Sequence, residues 1–528
     1  MDCLFAYRRK NGISTDMYID SIVRIVSWHC VKKCVKKVVF FNELCRKCVT
    51  FWRKGVSYKQ KLFYEEKLWF SAALNLYFGF CRFFLLTYYS ILDRYRNLCI
   101  FIFSMIFYAY GALAQPVYIL ILLASIGVNY LAGLCIAGIH KYRKLFLIAG
   151  IVIDLSVLFV FKYADFFIEN INRFGLDLPM QELVLPIGIS FYTFQEISYL
   201  IDVYRRDIHT ETSILNLGTY IVMFPQLVAG PIVRYETIRD RLEHRVCTRE
   251  DFIYGVKLFV AGLGSKVLLA NRLSGLWQAA GGIGYESIST PLAWMAAAAF
   301  SFQIYFDFYG YSLMAIGLGK MFGFELPDNF RHPYISKSMT EFWRRWHITL
   351  GAWFRDYVYI PLGGNRKGIG RTYLNLFIVW TLTGFWHGAS WNFILWGMFL
   401  FAVIAVEKSG LLKILETHRV IGHIYMIILI PVSWMFFAIE DVSEIGVFFQ
   451  RMIGAGGVNV FAGDFIKYGM QYGIFLLAGI IFCTPLPRMI FRKLQNKYIR
   501  AAILAAVAAG SFYCIYKGMN DPFLYFRF

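Results

Sequence analysis

The feature that most constrains how this chain can fold is its series of long apolar runs. An α-helix needs roughly 20 apolar residues to cross the hydrocarbon core of a bilayer. Ten runs are clear candidates, and they cover residues 98–113, 116–139, 145–163, 252–270, 291–318, 372–383, 389–406, 422–438, 468–483 and 501–516. Because these runs are continuous and do not alternate with polar residues, they predict transmembrane helices rather than a membrane β-barrel.

Three further runs, residues 68–92, 183–201 and 214–229, are weaker because polar residues, Pro or Gly interrupt them. Some runs are also too short to cross alone, so we expect re-entrant or tilted segments. Charged residues make up 17% of the chain, against about 25% in a soluble domain. The pattern predicts an all-α, polytopic transmembrane protein with about 10 to 12 spans plus re-entrant or amphipathic helices.

The net charge of +20 comes from 54 basic and 34 acidic residues. In a soluble protein this excess would suggest a nucleic-acid partner. Here the basic residues lie between apolar runs, at residues 94–96, 140–144, 344–347 and 365–367. The positive-inside rule and contact with anionic lipid explain them better. We therefore expect no nucleic-acid partner, and cytoplasmic loops on a multi-pass protein of the cell membrane.

Residues 1–67 differ from the rest and predict a basic arm, cytoplasmic or on the membrane surface. The arm holds five of the eleven cysteines, and His29, Cys30, Cys34, Cys45 and Cys48 lie close together in sequence. Their C-x3-C and C-x2-C spacing does not match the usual paired C-x2-C of a zinc site. A start of translation downstream, for instance at Met17, is left open. In the hydrophobic core no residues have metal-ligand spacing.

Two histidines, each preceded by tryptophan, lie in hydrophobic or amphipathic sequence. His347 follows Trp346 in MTEFWRRWHITLGAWFRDY, and His387 follows Trp386 in WTLTGFWHGASWNFILWG. Placing an imidazole in a membrane segment is costly and indicates a function. Neutral imidazole is a good general base near pH 7. We predict His387 and His347 as catalytic residues; the alternative is that each only bridges helices by hydrogen bonds.

Residues 339–357 have the spacing of one amphipathic helix. Trp343, His347, Leu350 and Phe354 fall on one face of such a helix, and arginines flank that face. Guanidinium groups bind phosphate in bidentate fashion. We therefore predict donor-binding residues here, with an interfacial belt of Trp and Arg as the alternative; the candidates are Arg344, Arg345, Arg355, Trp343 and Trp346.

Small residues surround His387. Thr383 and Gly384 precede it, and Gly388, Ala389 and Ser390 follow it. Small side chains allow two helices to approach closely, or leave a gap through which a substrate could pass.

Six ordered motifs resemble those of the membrane-bound O-acyltransferase (MBOAT) superfamily, in its bacterial branch of alginate and peptidoglycan O-acetylation membrane proteins. They are PIGISFYTFQEISYLIDVYR (186–205), FPQLVAGPIVRY (224–235), FSFQIYFDFYGYS (300–312), LGKMFGFELPDNFRHPY (318–334), MTEFWRRWHITLGAWFRDYVYIPLGGNRKG (339–368) and TGFWHGASWNFILWG (383–397). The resemblance covers nearly everything after about residue 68, so residues 68–528 are expected to form one integral membrane acyltransferase domain.

The resemblance implies transfer of an acyl group, here acetyl, from a cytoplasmic thioester such as acetyl-CoA to an acceptor outside the membrane. The donor is a substrate, and no bound cofactor or metal is expected. His387 matches the near-invariant histidine of the superfamily. His347 matches a second site position, which is Asn or Asp in many members. Relatives also act with a separate extracytoplasmic acyltransferase or esterase-like partner protein.

One motif departs from the family pattern. Relatives often read FDFSGYSDMAIG where this chain reads FDFYGYSLMAIG, so Tyr309 and Leu313 replace a serine and an aspartate, while Asp307 remains. The departure puts in doubt any part that the missing aspartate has in ordering the site.

Several alternatives stay open from the sequence. If the protein is an enzyme, D-alanyl transfer to teichoic acid is the nearest alternative activity. A polytopic transporter or a non-enzymatic scaffold of a polysaccharide export system would also have many spans. The acceptor is likewise open: alginate, peptidoglycan, cellulose or another polymer.

Overall fold

The computed structural model describes residues 93–112, 115–228 and 230–518, together with Tyr88, Ile91 and Leu524. The predicted N-terminal arm, its cysteines and His29, and most of the run 68–92 lie outside the described residues. So does the C-terminal DPFLYFRF, apart from Leu524.

The described part of the chain is built from helices and contains no β-strand, which confirms the all-α prediction. The helices of its first half are α1 (Arg96–Gly111), α2 (Val117–Gly138), α3 (Arg143–Lys162), α4 (Ala164–Asn172), α5 (Ile189–Arg205), α6 (Ile214–Val222), α7 (Phe224–Leu227), α8 (Tyr235–Glu243), α9 (Arg249–Gly264) and α10 (Asn271–Ile283).

The second half begins with the longest helix described, of 32 residues. Its helices are α11 (Thr290–Met321), α12 (Met339–Arg345), α13 (Ile348–Phe354), α14 (Ile369–His387), α15 (Trp391–Val406), α16 (Leu412–Thr417), α17 (Arg419–Ala438), α18 (Val442–Met452), α19 (Asp464–Phe482), α20 (Leu486–Lys493) and α21 (Lys497–Tyr516). Short π-helical segments continue three of these elements, at Ser265–Ala270, Arg355–Tyr359 and Glu407–Leu411.

Each of the ten clear apolar runs lies largely in a helix over its described residues, as predicted. Among the described residues, six helical segments are both long and apolar enough to cross a membrane, and the shorter Arg96–Gly111 is also apolar. The six are Val117–Gly138, His140–Lys162, Arg249–Ile283, Arg419–Ala438, Asp464–Phe482 and Lys497–Tyr516. The chain is thus a multi-pass membrane protein, with fewer self-sufficient spans than the 10 to 12 estimated.

Two of the weaker runs are irregular for identifiable reasons. In 183–201 the helix begins only at Ile189, after the left-handed Gly188, whose added Cβ would lie 2.3 Å from the Leu227 carbonyl oxygen. In 214–229 the helix ends at Val222, and a new one begins beyond Met223 with Pro225 in its first turn. Proline is tolerated there because the first helical N–H groups have no partner in the helix.

Three helices, α3, α5 and α14, run between the same two ends of the molecule. Arg143, at the start of α3, donates to the carbonyls of Val203 and Tyr204 at the end of α5. We call this side, with residues 140–144, 205–206 and 365–367, the basic end.

The opposite side is called the histidine end, and it is where Lys162, Ser190 and His387 meet. At about 1.5 Å per residue, the 18 steps from Ile369 to His387 separate the two ends of α14 by about 27 Å. His387 therefore lies a membrane-scale distance from the basic loop that precedes its helix.

Candidate active site

His347 lies at a break between two short helices. The prediction of one continuous helix over residues 339–357 is wrong, because α12 ends at Arg345 and α13 begins at Ile348. The backbone of His347 is left-handed, with φ 44° and ψ 52°, a conformation that few non-glycine residues adopt. A residue in this conformation interrupts a right-handed helix, so the chain turns at His347.

A distant loop holds this break in place. The Arg331 N–H donates to the Arg345 carbonyl at 2.9 Å, and the Ile348 N–H donates to the Asn329 carbonyl at 3.0 Å. In an unbroken helix, the Arg345 carbonyl would accept from the N–H of Thr349, and the Ile348 N–H would donate to the Arg344 carbonyl. Helical periodicity carries no information about hydrogen bonds from a distant loop, and for this reason the spacing alone predicts a continuous helix.

The outer ends of this broken segment are anchored by carboxylates. At the first turn of α12, Glu407 accepts from the N–H groups of Met339 and Thr340, at 2.5 and 2.8 Å. Beyond α13, the Tyr357 hydroxyl lies 2.8 Å from both carboxylate oxygens of Asp202. A negative charge at the start of a helix also suits the helix dipole.

Both anchors lie at the basic end. Asp202 is in the last turn of α5, and Glu407 follows α15. The first residue of α15, Trp391, bonds to Asn170 in α4, beyond the histidine end of α3. The two short helices therefore form a re-entrant pair whose tip is His347. Re-entrant segments are expected because some apolar runs are too short to cross a membrane alone.

The imidazole of His347 is buried, with 1% of the residue exposed. Its Nδ1 lies 3.1 Å from Oδ1 of Asn329. The ring of Phe308 contacts it edge-on, at 4.7 Å between centroids, and that of Trp386 lies at 6.1 Å.

His387 is the last residue of α14 and is 6% exposed. Its ring packs against Trp386, Trp396 and Phe437, at centroid distances of 4.9, 5.1 and 5.3 Å. The two predicted histidines are thus brought to the same indole ring, that of Trp386, from segments 40 residues apart by subtraction.

Lys162 holds the end of the His387 helix. Its side-chain nitrogen donates to the carbonyls of Trp386 and His387, at 2.5 and 3.2 Å, and to the hydroxyl of Ser190 at 3.3 Å. The last carbonyls of a helix have no donor within the helix, and a lysine satisfies them well. The interaction fixes where α14 stops and therefore where His387 lies.

The small residues near His387 serve close helix packing. A Cβ added to Gly384 would lie 2.3 Å from the Phe393 carbonyl oxygen, and one added to Gly397 would lie 2.4 Å from that of Trp380. At Gly388, an added Cβ would overlap the Phe393 ring, at 2.2 Å. Of the two predicted uses of these residues, close approach of α14 and α15 is the one found.

The two tryptophans predicted to bind the donor lie in an aromatic cluster. Trp343 packs against Trp380 and Trp396, at 5.1 and 5.5 Å between ring centroids. Trp346, 3% exposed, packs against Trp434 at 4.9 Å. Since Trp396 also contacts His387, this cluster packs against that histidine, and donor binding by its members stays a prediction.

The three predicted arginines are spread over the re-entrant pair. Arg344 is exposed at the end of α12. Arg345 pairs with Glu341 at 2.7 Å, and Arg355 pairs with its neighbour Asp356 at 2.6 Å. The arginines do not share one acidic partner. Their contact with donor phosphates stays a prediction.

An open pocket of about 640 Å³ lies at the basic end. It contains four carboxyl groups and two guanidinium groups, and its lining is Asp202, Arg205, Asp207, Arg234, Glu236, Asp356, Ile360 and Pro361. Burial acts to raise the pKa of Asp356, but hydrogen bonds from Arg355 and Arg234 outweigh it and hold that pKa below the usual value. The carboxylate is therefore ionised at neutral pH and neutralises part of the arginine charge.

Stacked rings connect this pocket to the histidines. Tyr357 at the pocket contacts Trp353 at 5.3 Å, and Trp353 stacks on Phe194 at 3.8 Å with the rings nearly parallel. Phe194 in turn stacks on Trp386 at 5.4 Å. The indole of Trp353 also donates to the Phe194 carbonyl at 2.9 Å. This aromatic column runs from the basic end to the ring that both histidines contact.

Sequence reasoning missed two residues that hold the histidines. Lys162 interrupts an apolar run, and a lone lysine in a membrane segment is itself a signal of function. Asn329 lies in the quoted motif LGKMFGFELPDNFRHPY, but nothing local marks it, because its partners are 18 to 20 residues away.

In the motif that departs from the family pattern, the replaced position Tyr309 and the retained Asp307 both have partners in the fold. Tyr309 stacks on Tyr305 at 5.3 Å. Asp307 pairs with Lys266 at 2.5 Å and accepts the Leu524 N–H at 2.7 Å, so it ties α11 to the π-helical segment after α9 and to the C-terminal region. Asp307 therefore has a structural role of its own.

Comparison with known proteins shows which family this chain belongs to. The sequence profile of the membrane-bound O-acyltransferase family matches residues 131–439. A probable alginate O-acetylase, AlgI, of Pseudomonas aeruginosa is 39% identical over 439 residues, which cover 80% of this chain and 83% of the relative. The peptidoglycan O-acetyltransferase of Helicobacter pylori is 30% identical over 506 residues, covering 85% and 95%. A teichoic acid D-alanyltransferase of Bacillus subtilis is 28% identical over 236 residues, covering 42% and 58%.

The chain belongs to the membrane-bound O-acyltransferase family. Within that family it is an O-acetyltransferase, the class of the two relatives that cover most of its length. The resemblance of the six motifs is confirmed, and the transporter and scaffold alternatives find no support among these relatives.

Proposed function

We propose that this protein transfers an acetyl group from a cytoplasmic acyl thioester, such as acetyl-CoA, to a hydroxyl of an extracytoplasmic polysaccharide. The observation that carries the proposal is the pair of buried imidazoles on one indole ring, with His347 and His387 both in contact with Trp386. Two buried imidazoles at one place are costly without a reaction that uses them.

In the proposed reaction, His387 takes the proton of the acceptor hydroxyl as its oxygen attacks the thioester carbonyl. The carbon–sulfur bond then breaks, the thiolate leaves with the proton, and the new ester carries the acetyl group. His347 either orients His387 or the hydroxyl, or donates to the carbonyl oxygen as negative charge develops there.

The donor is proposed to approach from the basic end. Clusters of Lys and Arg resist translocation, so this end faces the cytoplasm in the proposed topology. Arg344, Arg345 and Arg355 would contact its phosphates, and Trp343 and Trp346 its acyl arm. Because four carboxyl groups line the pocket of Arg205 and Arg234, the phosphates are placed at the exposed Arg344 rather than inside that pocket.

The acceptor is proposed to meet the site at the histidine end, on the far side of the cell membrane. The relatives' names point to alginate and to peptidoglycan, both polymers outside the cytoplasmic membrane. An extracytoplasmic acyltransferase or esterase-like partner would complete delivery to the polymer. Lipid surrounds the spans, and no nucleic acid is involved.

The test is consumption of radiolabelled acetyl-CoA by the purified protein in proteoliposomes. We expect labelled acetyl to be released from coenzyme A, slowly to water alone and faster with a soluble oligosaccharide. The His387→Ala variant should not release it, whereas His418→Ala, a change at an exposed histidine, should. Equal release by His387→Ala and the unaltered protein would rule out the proposed role.

D-alanyl transfer is a second candidate, favoured by the teichoic acid D-alanyltransferase relatives at 28% identity. The same proteoliposomes, given a labelled D-alanyl thioester, decide between the two donors. We expect acetyl to be preferred; a faster release of D-alanine would replace acetyl as the transferred group.

A further inference from the structure

We propose that Asn329 is a positioning residue that sets the proton arrangement of His347, so that Nδ1 carries the proton and Nε2 is a bare acceptor. This proposal rests on the proposed function, in which His347 either orients a group or donates to the carbonyl oxygen, and it decides between those two roles. A neutral imidazole held in this way accepts a hydrogen bond at Nε2 and has no proton there to donate to a thioester carbonyl.

The neighbours of Asn329 determine the orientation of its side-chain amide. The atom assigned as Oδ1 lies 3.2 Å from the backbone N–H of Thr349. A backbone N–H can only donate. An amide flipped to place Nδ2 there would set two donors against each other, so the oxygen faces Thr349.

With the amide in this orientation, the hydroxyl of Thr349 can act as a second donor to the same oxygen. Its oxygen accepts the N–H of Ile232 at 3.0 Å and lies 2.9 Å from Oδ1 of Asn329. With Ile232 as donor, the hydroxyl proton is free to point at Asn329. Two donors from Thr349 therefore converge on one amide oxygen.

The remaining contact of that oxygen is Nδ1 of His347, at 3.1 Å. Since the oxygen only accepts, Nδ1 must be the donor. Neutral imidazole carries one proton, and Nε2 is then left with its lone pair. Nε2 is buried, and the described residues offer it no hydrogen-bond partner. A substrate hydroxyl or thiol would supply the missing donor.

The same residue also holds the strained backbone. The Asn329 carbonyl accepts the Ile348 N–H at 3.0 Å, next to the left-handed His347. Side chain and main chain of Asn329 thus fix both the position and the tautomer of one imidazole. Residues held in sparsely populated conformations persist where the surroundings over-determine them, and they cluster at functional sites.

The first test is ¹⁵N NMR of histidine-labelled protein in lipid, with the His347 signals assigned by their loss in His347→Asn. We expect a protonated Nδ1 and an unprotonated Nε2. Asn329→Asp keeps an acceptor oxygen and should keep that proton arrangement. Asn329→Leu removes the acceptor and should give a mixture of tautomers, together with a fall in kcat of about tenfold or more at little changed KM.

Asn375→Leu is the matched control, because Asn375 is also fully buried, and within the described part of the chain its amide donates to the loop carbonyls of Leu362 and Gly364 and not to His347. It should leave the His347 signals unchanged. A protonated Nε2 in the unaltered protein would overturn the proposal, as would an unchanged tautomer in Asn329→Leu. If Asn329→Leu fails to fold, the unaltered protein and Asn329→Asp still decide it.

The NMR measurement needs no turnover. If His387→Ala retained activity while Nδ1 of His347 carried the proton, the proposed function would fail and the assignment of Asn329 would stand.

Discussion

His387 ends a regular helix of 19 residues, whereas His347 occupies a break between two helices of seven residues each. The position of His387 follows from its helix and from one lysine at the last carbonyls. The position of His347 depends on a loop that bonds to both the backbone and the ring. Both arrangements lead to the same ring of Trp386.

The two residues should therefore respond differently to mutation. The hydrogen bonds that hold the end of α14 go to backbone carbonyls, so removal of the His387 imidazole changes chemistry more than architecture. A side chain at a strained turn is part of what determines the turn. Changes at His347 should therefore combine a chemical and a structural effect, and changes at His387 should be chemical.

The largest expected effect is that of His387→Ala. Loss of a general base lowers rates by about 100-fold or more, so acetyl transfer should fall at least that far. Thermal stability in detergent should change little, because α14 and its close contact with α15 do not depend on the imidazole. Rate and melting temperature are measured on the same preparation, with His418→Ala as control; normal polymer acetylation by a well-expressed variant would reject the assignment.

The next largest effect on activity is expected at His347, where two substitutions separate a hydrogen-bonding role from a proton-transfer role. His347→Ala should lower activity by about 100-fold. His347→Asn should retain part of it, because the amide oxygen offers an acceptor and Asn tolerates a left-handed backbone. Initial rates of acetyl transfer are compared for both. Complete loss in both would favour a proton-transfer role, and unchanged activity in both would remove His347 from the site.

Lys162 tests how strongly the end of α14 must be held. Lys162→Met leaves the carbonyls of Trp386 and His387 without their side-chain donor and should lower kcat about tenfold, since a hydrogen bond contributes about 0.5–1.5 kcal/mol and two are lost. Lys162→Arg should restore most of the rate. Lys144→Met, at the basic end of the same helix, is the matched control. Equal rates for Met and Arg at position 162 would show that the lysine does not position His387.

The smallest effect on activity comes from single cysteines that report topology. In a cysteine-depleted background, cysteines at Lys141 and Asn365 mark the basic end, and one at Asp177, in the exposed loop after α4, marks the other. A membrane-impermeant reagent applied to intact cells should label only position 177. Labelling of 141 and 365 from outside would reverse the orientation and, with it, the cytoplasmic entry of the donor.

Much of the fold could be predicted because the signal for it is local. Each apolar run specifies a helix by its own length and composition, and each of the ten clear runs is largely helical over its described residues. The weaker runs 183–201 and 214–229 contain polar residues, Pro and Gly, and in both of them the helix is incomplete or interrupted. The number of spans was harder to predict, because α11 and α14 carry buried polar residues among their apolar ones.

The candidate site was predicted only in part. His347, His387 and their tryptophans were found because imidazoles in hydrophobic sequence are rare and costly. The sequence predicts the arginines of residues 339–357 as one group, because on a continuous helix they would flank the same aromatic face. The break at His347 divides them between two helices, so that assumption does not hold.

Residue type and near-neighbour spacing are enough to specify the helical membrane class and the family, and to single out His347 and His387 as candidates. The tertiary structure alone decided that α12 and α13 form a re-entrant pair, that Lys162 meets the end of α14, and that Asn329 bonds to His347. Lys162 and the His387 carbonyl are 225 residues apart, and the loop that bends His347 is 18 residues from it. Such contacts form only when separate segments compete for the same backbone groups in the folded chain, and no local pattern records which partner wins.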